Sequence, residues 1–406
     1  MTSTPVRPSS RRGAFAVVGV VVVVLALLVV WQVAPLLSSN AVATVPPTGT
    51  TAPSVVAVVP SPSPSSTPAP PTPEPTPPTV PSALTGLLIS PESARYHPIA
   101  VMVDDHVAAR PQSGFNSAAI VWHAPAEGGV PRYMMIFQDH IPAGVGPIRS
   151  SREYFIEWAA EWDAMYVHHG GSPQALATLL AKGHGQWVWN ADGFRWSPKY
   201  LWRIKERRAP HNVYTDGEHL RALAAKLDVP DEALTPVWQF APDADPSLRP
   251  TGGTIKVVYP YESVTYRYDN LTNRYVRYIN GSKTPQVDAD DNSVVAPANV
   301  VILRMHFGPL NDGHPDKFRL EAAGVGHGDA WISSNGVTIH GTWRKASETA
   351  PTLLFGPDGE PVTLTAGQTF VQVLPLSYGY TITPGTMPGA PSPAPSGSAQ
   401  ATPNPS

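Results

Sequence analysis

Between residues 99 and 167 apolar residues come in short unbroken runs rather than in alternation. Residues 99–103, 119–122, 133–137 and 164–167 form such runs, the mark of strands covered on both faces. Tyr154, Phe155, Trp158 and Trp162 recur at helical spacing and predict an amphipathic helix. Residues 173–181 and 217–226 predict two more helices. The pattern changes near residue 245. Strands are then expected at 255–259, 264–268, 275–279, 300–305, 330–332, 337–343 and 370–374. Turn signals separate them: 270–273, Asn280-Gly281, Asn335-Gly336 and Asp358-Gly359. The expected class is α+β, with a mixed α/β domain over 83–248 and a mainly antiparallel β domain over 249–384.

The N-terminal segment has a different texture. Arg7, Arg11 and Arg12 precede an uncharged, mostly apolar run at 14–37, and no Lys or Arg follows until Arg95. The run is long enough for a single transmembrane helix. The charge bias puts residues 1–13 in the cytoplasm and the body outside. Ala41 and Ala43 offer an alternative signal-cleavage site, but a cleavable signal has a shorter apolar region of ~7–15 residues. Residues 38–82 are rich in Pro, Ser and Thr and read as an extended spacer, with a glycosylated stalk or a Pro-motif ligand as alternatives. Residues 385–406 read as a disordered tail of similar composition.

Composition narrows the chemistry. Net charge is -3 and the arginines are scattered, so nucleic acid is not an expected partner. The chain has no cysteine, which excludes disulfides, thiol nucleophiles, Cys-ligated zinc and a lipid-bearing Cys after the apolar run. Gly-x-Ser-x-Gly, His-Glu-x-x-His, phosphate-loop, dinucleotide-loop and Ser-x-x-Lys signatures are missing. Asp288, Asp290, Asp291 and Asn292 lack the Gly and distal Glu of a calcium loop and read as a turn. No metal or cofactor is expected.

Two loops carry suggestive chemistry. In the first, Ser150 and Glu153 fit a capping box that would open the next helix, and Arg149 and Arg152 add cationic forks suited to phosphate or carboxylate. A capped helix whose arginines pair with body carboxylates is the plainer alternative. In the second, His168, His169, Gly170 and Gly171 lead to Ser172 as N-cap and Pro173 as first helical residue. Here the plainer alternative is a tight turn with one His buried and one in solvent.

Asp104, Asp105 and His106 end a buried strand, Arg110 precedes Pro111, Glu127 closes the next strand, and His211 and Asn212 lie in a loop entering a helix. Asp104, Asp105 or Glu127 near His168 would serve acid–base work or hold a metal, although spacing does not bring them together. The aromatics at 187, 189, 194, 196, 200 and 202 would line a sugar or peptide groove or, more simply, pack between the domains.

Several of these segments together resemble the YerB-like family of bacterial lipoproteins. They are Ile99–His106, Ala109–Gly114, Val145–Arg152, His169–Pro173, Ala209–Thr215, Tyr266–Asp269 and Gly341–Lys345. The resemblance covers about 83–376. It implies an N- and a C-terminal domain and a bacterial protein outside the cytoplasmic membrane. It implies no activity, since the family's function is unknown. Family members are often anchored through a lipid on Cys; in this chain the apolar helix would replace it.

The expected function is therefore a membrane-tethered envelope protein binding an anionic ligand, such as a cell-wall polymer, through an Arg/His-lined site. A hydrolase acting on a wall glycan or phosphodiester polymer is the first alternative, and whether the protein is an enzyme stays open. A non-catalytic scaffold for membrane partners is the second.

Overall fold

In the computed structural model of the protein, residues 77–140, 142–180 and 187–389 are described. The apolar run at 14–37, most of the Pro-rich spacer and the tail beyond 389 lie outside them. Among the described residues no helix is long and apolar enough to cross a membrane. The folded body takes in more of the spacer and tail than expected. Val80–Pro81 pairs with Leu88–Ile89, and Thr386 bridges to Thr251.

The described chain is mostly β with few helices. Strands β1 (Ile99–Asp104), β2 (Ile120–Pro125), β3 (Pro131–Phe137), β4 (Met165–His168) and β5 (Trp189–Asp192) come from the first half. The second half supplies β6 (Thr254–Tyr259), β7 (Glu262–Asp269), β8 (Arg274–Ile279), β9 (Asn299–Met305), β10 (Gly326–Ser334), β11 (Val337–Lys345), β12 (Leu353–Phe355), β13 (Thr369–Pro375) and β14 (Tyr380–Thr383). Ten of these form one mixed sheet in the order β12-β11-β10-β9-β13-β2-β3-β1-β4-β5. The halves meet inside it: β13 runs parallel to β2, with Gln372 opposite His123.

Both faces of this sheet are covered, which is why its central strands read as unbroken apolar runs. One face carries α1 (Glu153–Ala160) and α2 (Pro173–Leu180), with Trp122 stacked on Trp158 at 4.8 Å. The other carries α3 (Gly217–Lys226) and a four-stranded antiparallel sheet, β8-β7-β6-β14. Strand β6 alternates inward Ile255, Val257 and Tyr259 with outward Lys256 and Val258, as expected of a sheet with one face in water. The Asn335-Gly336 turn joins β10 to β11 with both residues at positive φ, 50° and 77°, the two-residue hairpin that the dipeptide predicts.

Local chemistry explains most element ends. Asp216 caps α3 through His219 N at 2.8 Å, and Ser172 Oγ accepts from Ala175 N at 3.3 Å at the start of α2. The Ser150–Glu153 capping box is not formed. Arg152 is the N-cap of α1 and offers no side-chain cap, while Glu153 accepts a 2.8 Å bond from Thr178 and ties α1 to α2. A tertiary partner on α2 out-competes the local one, and Ser150 stays in an extended connection. The aromatic segment at 187–202 flanks β5, at the sheet edge far from the β2–β13 seam, so it does not pack between the halves. Asp288 holds its turn against the first half by accepting from Gly114 N and Asn116 N, both at 2.8 Å.

One carboxylate on α1 is held against its preference. Burial, opposed only in part by Lys345, pushes Glu157 up to about 7, and its Oε2 has no hydrogen-bond partner among the described residues. A carboxyl raised in the folded state stabilises below its unfolded value near 4.5, and that contribution is lost as pH rises through about 7. Glu157→Gln is therefore expected to raise stability by about 2–3 kcal/mol at pH 8 and to leave it nearly unchanged at pH 4. Urea unfolding at the two pH values measures this, and equal effects at both would contradict it.

Candidate functional site

Three segments converge at the C-terminal end of β1. The connection at 145–152 lies against β1, with Asp104 N bonded to Pro147 O and Arg149 N to Met102 O, both at 2.9 Å. The segment carrying His211 lies beside it through Val145 N–Thr215 O at 2.8 Å. The turn at 127–131 leads into β3, which pairs with β1 so that Arg132 stands opposite Asp104. Between them is a cleft of 380 Å³ lined by Asp104, His106, Glu127, Val130, Pro131, Arg132, Arg149, Ser150, Arg152 and His211.

The contacts fall into two groups. His211 Nδ1 and Arg149 Nε both meet Asp104 Oδ2, at 2.6 and 3.1 Å. His106 stacks on His211 with ring centres 4.6 Å apart. On the opposite wall Arg132 Nη2 reaches Glu127 Oε2 at 3.0 Å, and Arg152 pairs with Glu127 Oε1.

Three guanidinium groups thus face two carboxylates. Arg132 is 7% exposed and Arg152 5%, and Arg132 Nη1 and Arg152 Nε have no hydrogen-bond partner among the described residues. Burial lowers the affinity of Arg132, Arg149 and Arg152 for their protons, bringing Arg152 down to about 10. Buried cationic donors without acceptors are costly, and an anion in the cleft would relieve that cost.

Half of the candidate residues read from sequence come together here: Asp104, His106, Glu127, Arg149, Ser150, Arg152 and His211. The second loop does not. His168 is buried, with Nδ1 2.8 Å from Gly170 O and Nε2 2.9 Å from Asn190 Oδ1. His169 packs on Phe194, Gly171 bridges to Ser151, and Ser172 caps α2. Asn212 donates to Ile204 O at 3.1 Å and accepts from Arg203 at 2.6 Å.

Arg110 lies in an adjoining recess of 300 Å³ with Asp105, Tyr261 and Glu262, which shares His106, Val130 and Pro131 with the cleft. A larger hollow, 820 Å³, borders this recess at Tyr261 and is lined chiefly by Gly, Pro, Leu and aromatic residues. The ionisable groups gather in the smaller cleft, which is the better site candidate for that reason.

Beneath the recess lies a buried polar network that sequence reading largely missed. Asp105 bonds His123 Nε2 at 2.9 Å, Arg110 at 2.9 Å and Gln112 at 3.0 Å. His123 Nδ1 lies 3.0 Å from Gln372 Oε1, and Gln372 in turn donates to Tyr266 OH at 2.8 Å. Arg277 donates to Tyr266 OH at 3.2 Å and Tyr133 OH at 2.8 Å.

Burial works to raise the Asp105 carboxyl, but its bond to His123 and the charges of His123, Arg110 and Arg277 hold it below its usual value. Burial depresses His123 more than Asp105 supports it. Asp105, His123 and Glu262 have ligand atoms within 4.8 Å of one another and could in principle hold a metal. However, Arg110 pairs with both carboxylates and already neutralises them, so a cation would have to displace it. The available signal was a polar residue interrupting an apolar strand: His123, Arg277 and Gln372 each sit this way.

Residues 84–230 match the N-terminal domain, and 255–371 the C-terminal domain, of a family described as "Protein of unknown function (DUF3048)". The chain belongs to this family. It is 30% identical over 298 residues to a Bacillus subtilis (strain 168) protein named "Putative lipoprotein YerB", covering 72% of this chain and 85% of that one. The crystal structure of YerB from Bacillus subtilis is also similar. It matches with a TM-score of 0.65 and 26% identity over 74% of this chain and 99% of that one.

Proposed function

We propose that the protein is an envelope protein that holds an anionic group, phosphate or carboxylate, of an extracellular polymer in the Asp104–His211 cleft. The observation that carries this is the surplus of buried guanidinium donors, Arg132 Nη1 above all, on the cleft wall. The apolar run at 14–37 would tether the body outside the membrane. The lipoprotein name of the Bacillus subtilis relative supports that location, and a helix would do here what a lipid on Cys does elsewhere.

Calorimetric titration of the full chain with poly(glycerol phosphate) and with a neutral glucan tests the reading. Binding of the phosphate polymer alone, weakening with salt, is expected. Arg132→Gln is expected to reduce affinity about 10-fold or more. Equal binding of both polymers, or binding untouched by Arg132→Gln, would refute it.

A further inference from the structure

The two histidines of the cleft carry hydrogen bonds that assign their tautomers. His211 Nδ1 faces the Asp104 carboxylate at 2.6 Å, so Nδ1 bears the hydrogen and the neutral ring has its lone pair at Nε2. His106 Nδ1 accepts from Ala108 N at 3.1 Å, so its hydrogen is at Nε2. Neither Nε2 has a hydrogen bond among the described residues, and the rings are stacked. A carboxylate-oriented imidazole with a free lone pair thus stands beside an imidazole with a free N–H. A base and a hydrogen-bond donor are paired in one wall.

This pair is physically joined to the anion-holding groups. Arg149 and His211 meet the same oxygen, Asp104 Oδ2. A group gripped by Arg149 therefore lies next to His211. A carboxylate held there would present no reactive centre to the base. A phosphodiester is different: it is both the anion that guanidinium forks recognise and an electrophile that water attacks.

We propose that the cleft hydrolyses a phosphodiester, with His211 as general base oriented by Asp104 and His106 Nε2–H as a hydrogen-bond donor to a phosphoryl oxygen. This rests on the anion-binding reading above. Water forms a bond to phosphorus as the bond from phosphorus to the leaving oxygen breaks. The water proton passes to His211 Nε2, and the leaving oxygen departs with the bonding electron pair and takes its proton from solvent. His211 then returns its proton to solvent, which restores the neutral base. The products are a phosphomonoester and an alcohol. Arg132, Arg149 and Arg152 offset charge on the phosphoryl oxygens. Asp104 is a positioning residue, acting through His211.

The test follows nitrophenol release from bis(4-nitrophenyl) phosphate by the full chain, with inorganic pyrophosphate binding measured in parallel. Release by the wild type is expected. His211→Ala should cut kcat about 100-fold or more while pyrophosphate binding holds. Added imidazole should restore part of the lost rate, which it would not do for a merely structural histidine. Asp104→Asn should lower kcat while pyrophosphate binding holds, the split expected of a residue that acts by orienting His211. Pyrophosphate binding without nitrophenol release overturns the hydrolytic proposal and leaves the anion site standing. Release that survives His211→Ala overturns the assigned base. Failure to bind pyrophosphate at all removes the anion-binding reading itself.

Discussion

Lys345→Met is expected to destabilise the protein by about 3–5 kcal/mol, because it strands a buried carboxylate. Lys345 ends β11 and Glu161 follows α1. Their Nζ and Oε1 are 2.9 Å apart, and neither side chain is exposed. Thr352 Oγ1 adds a 2.6 Å bond to Glu161. Without the ammonium, Glu161 keeps only its bonds to Thr352 in a site where burial already raises its carboxyl. The Glu161→Met/Lys345→Met pair removes both charges and should return to within about 1–2 kcal/mol of wild type. Urea unfolding of the three variants measures the cycle. A double variant as unstable as Lys345→Met would show that the loss comes from packing rather than from the unpaired charge.

Arg277→Met should cost a similar amount, about 3–5 kcal/mol, through a different route. Arg277 comes from β8 and is fully buried against Tyr133 of β3, so it couples the small sheet to the large one. Its removal leaves Tyr133 OH and Gln286 short of a donor and takes away one of the cationic charges that stabilise the Asp105 carboxylate.

The variant has a second readout. In the wild type His123 is held below its ordinary value, first by burial and in part by the Arg277 charge. A depressed histidine contributes stability above its unfolded value near 6.5, and that contribution is lost as pH falls through the folded value. Arg277→Met lifts part of the depression, so stability should fall less between pH 7 and 5 than in the wild type. Parallel pH curves for the two proteins would contradict the coupling of Arg277 to His123.

The contrast between Ser150 and Ser172 shows where sequence reasoning holds. Both precede expected helix starts. Ser172 caps its helix because Pro173 and the glycines before it leave the local bond without rivals. Ser150 does not, because Glu153 meets Thr178, 25 residues away in sequence. The site shows the same division. Arg149 and Arg152 invite an anionic ligand by residue type alone. The surplus of donors over acceptors appears only when Glu127 and Arg132 arrive from the other side of β1.

Sequence by itself determined the central strands and the three main helices of the body, though not β5, β12 or β14, since buried strands need unbroken apolar runs and hairpins need Asn-Gly turns. It also determined the chemical type of the cleft residues, because guanidinium, imidazole and carboxylate groups are read directly from the chain. Tertiary structure alone decided that the two halves share one sheet, with Gln372 paired to His123 across 249 residues. It alone also brought His106 and His211, with stacked rings, to a common cleft. The reason is physical. Periodicity reports which face of an element is buried, whereas pairing partners, hydrogen-bond direction and the balance of buried charge depend on which elements meet.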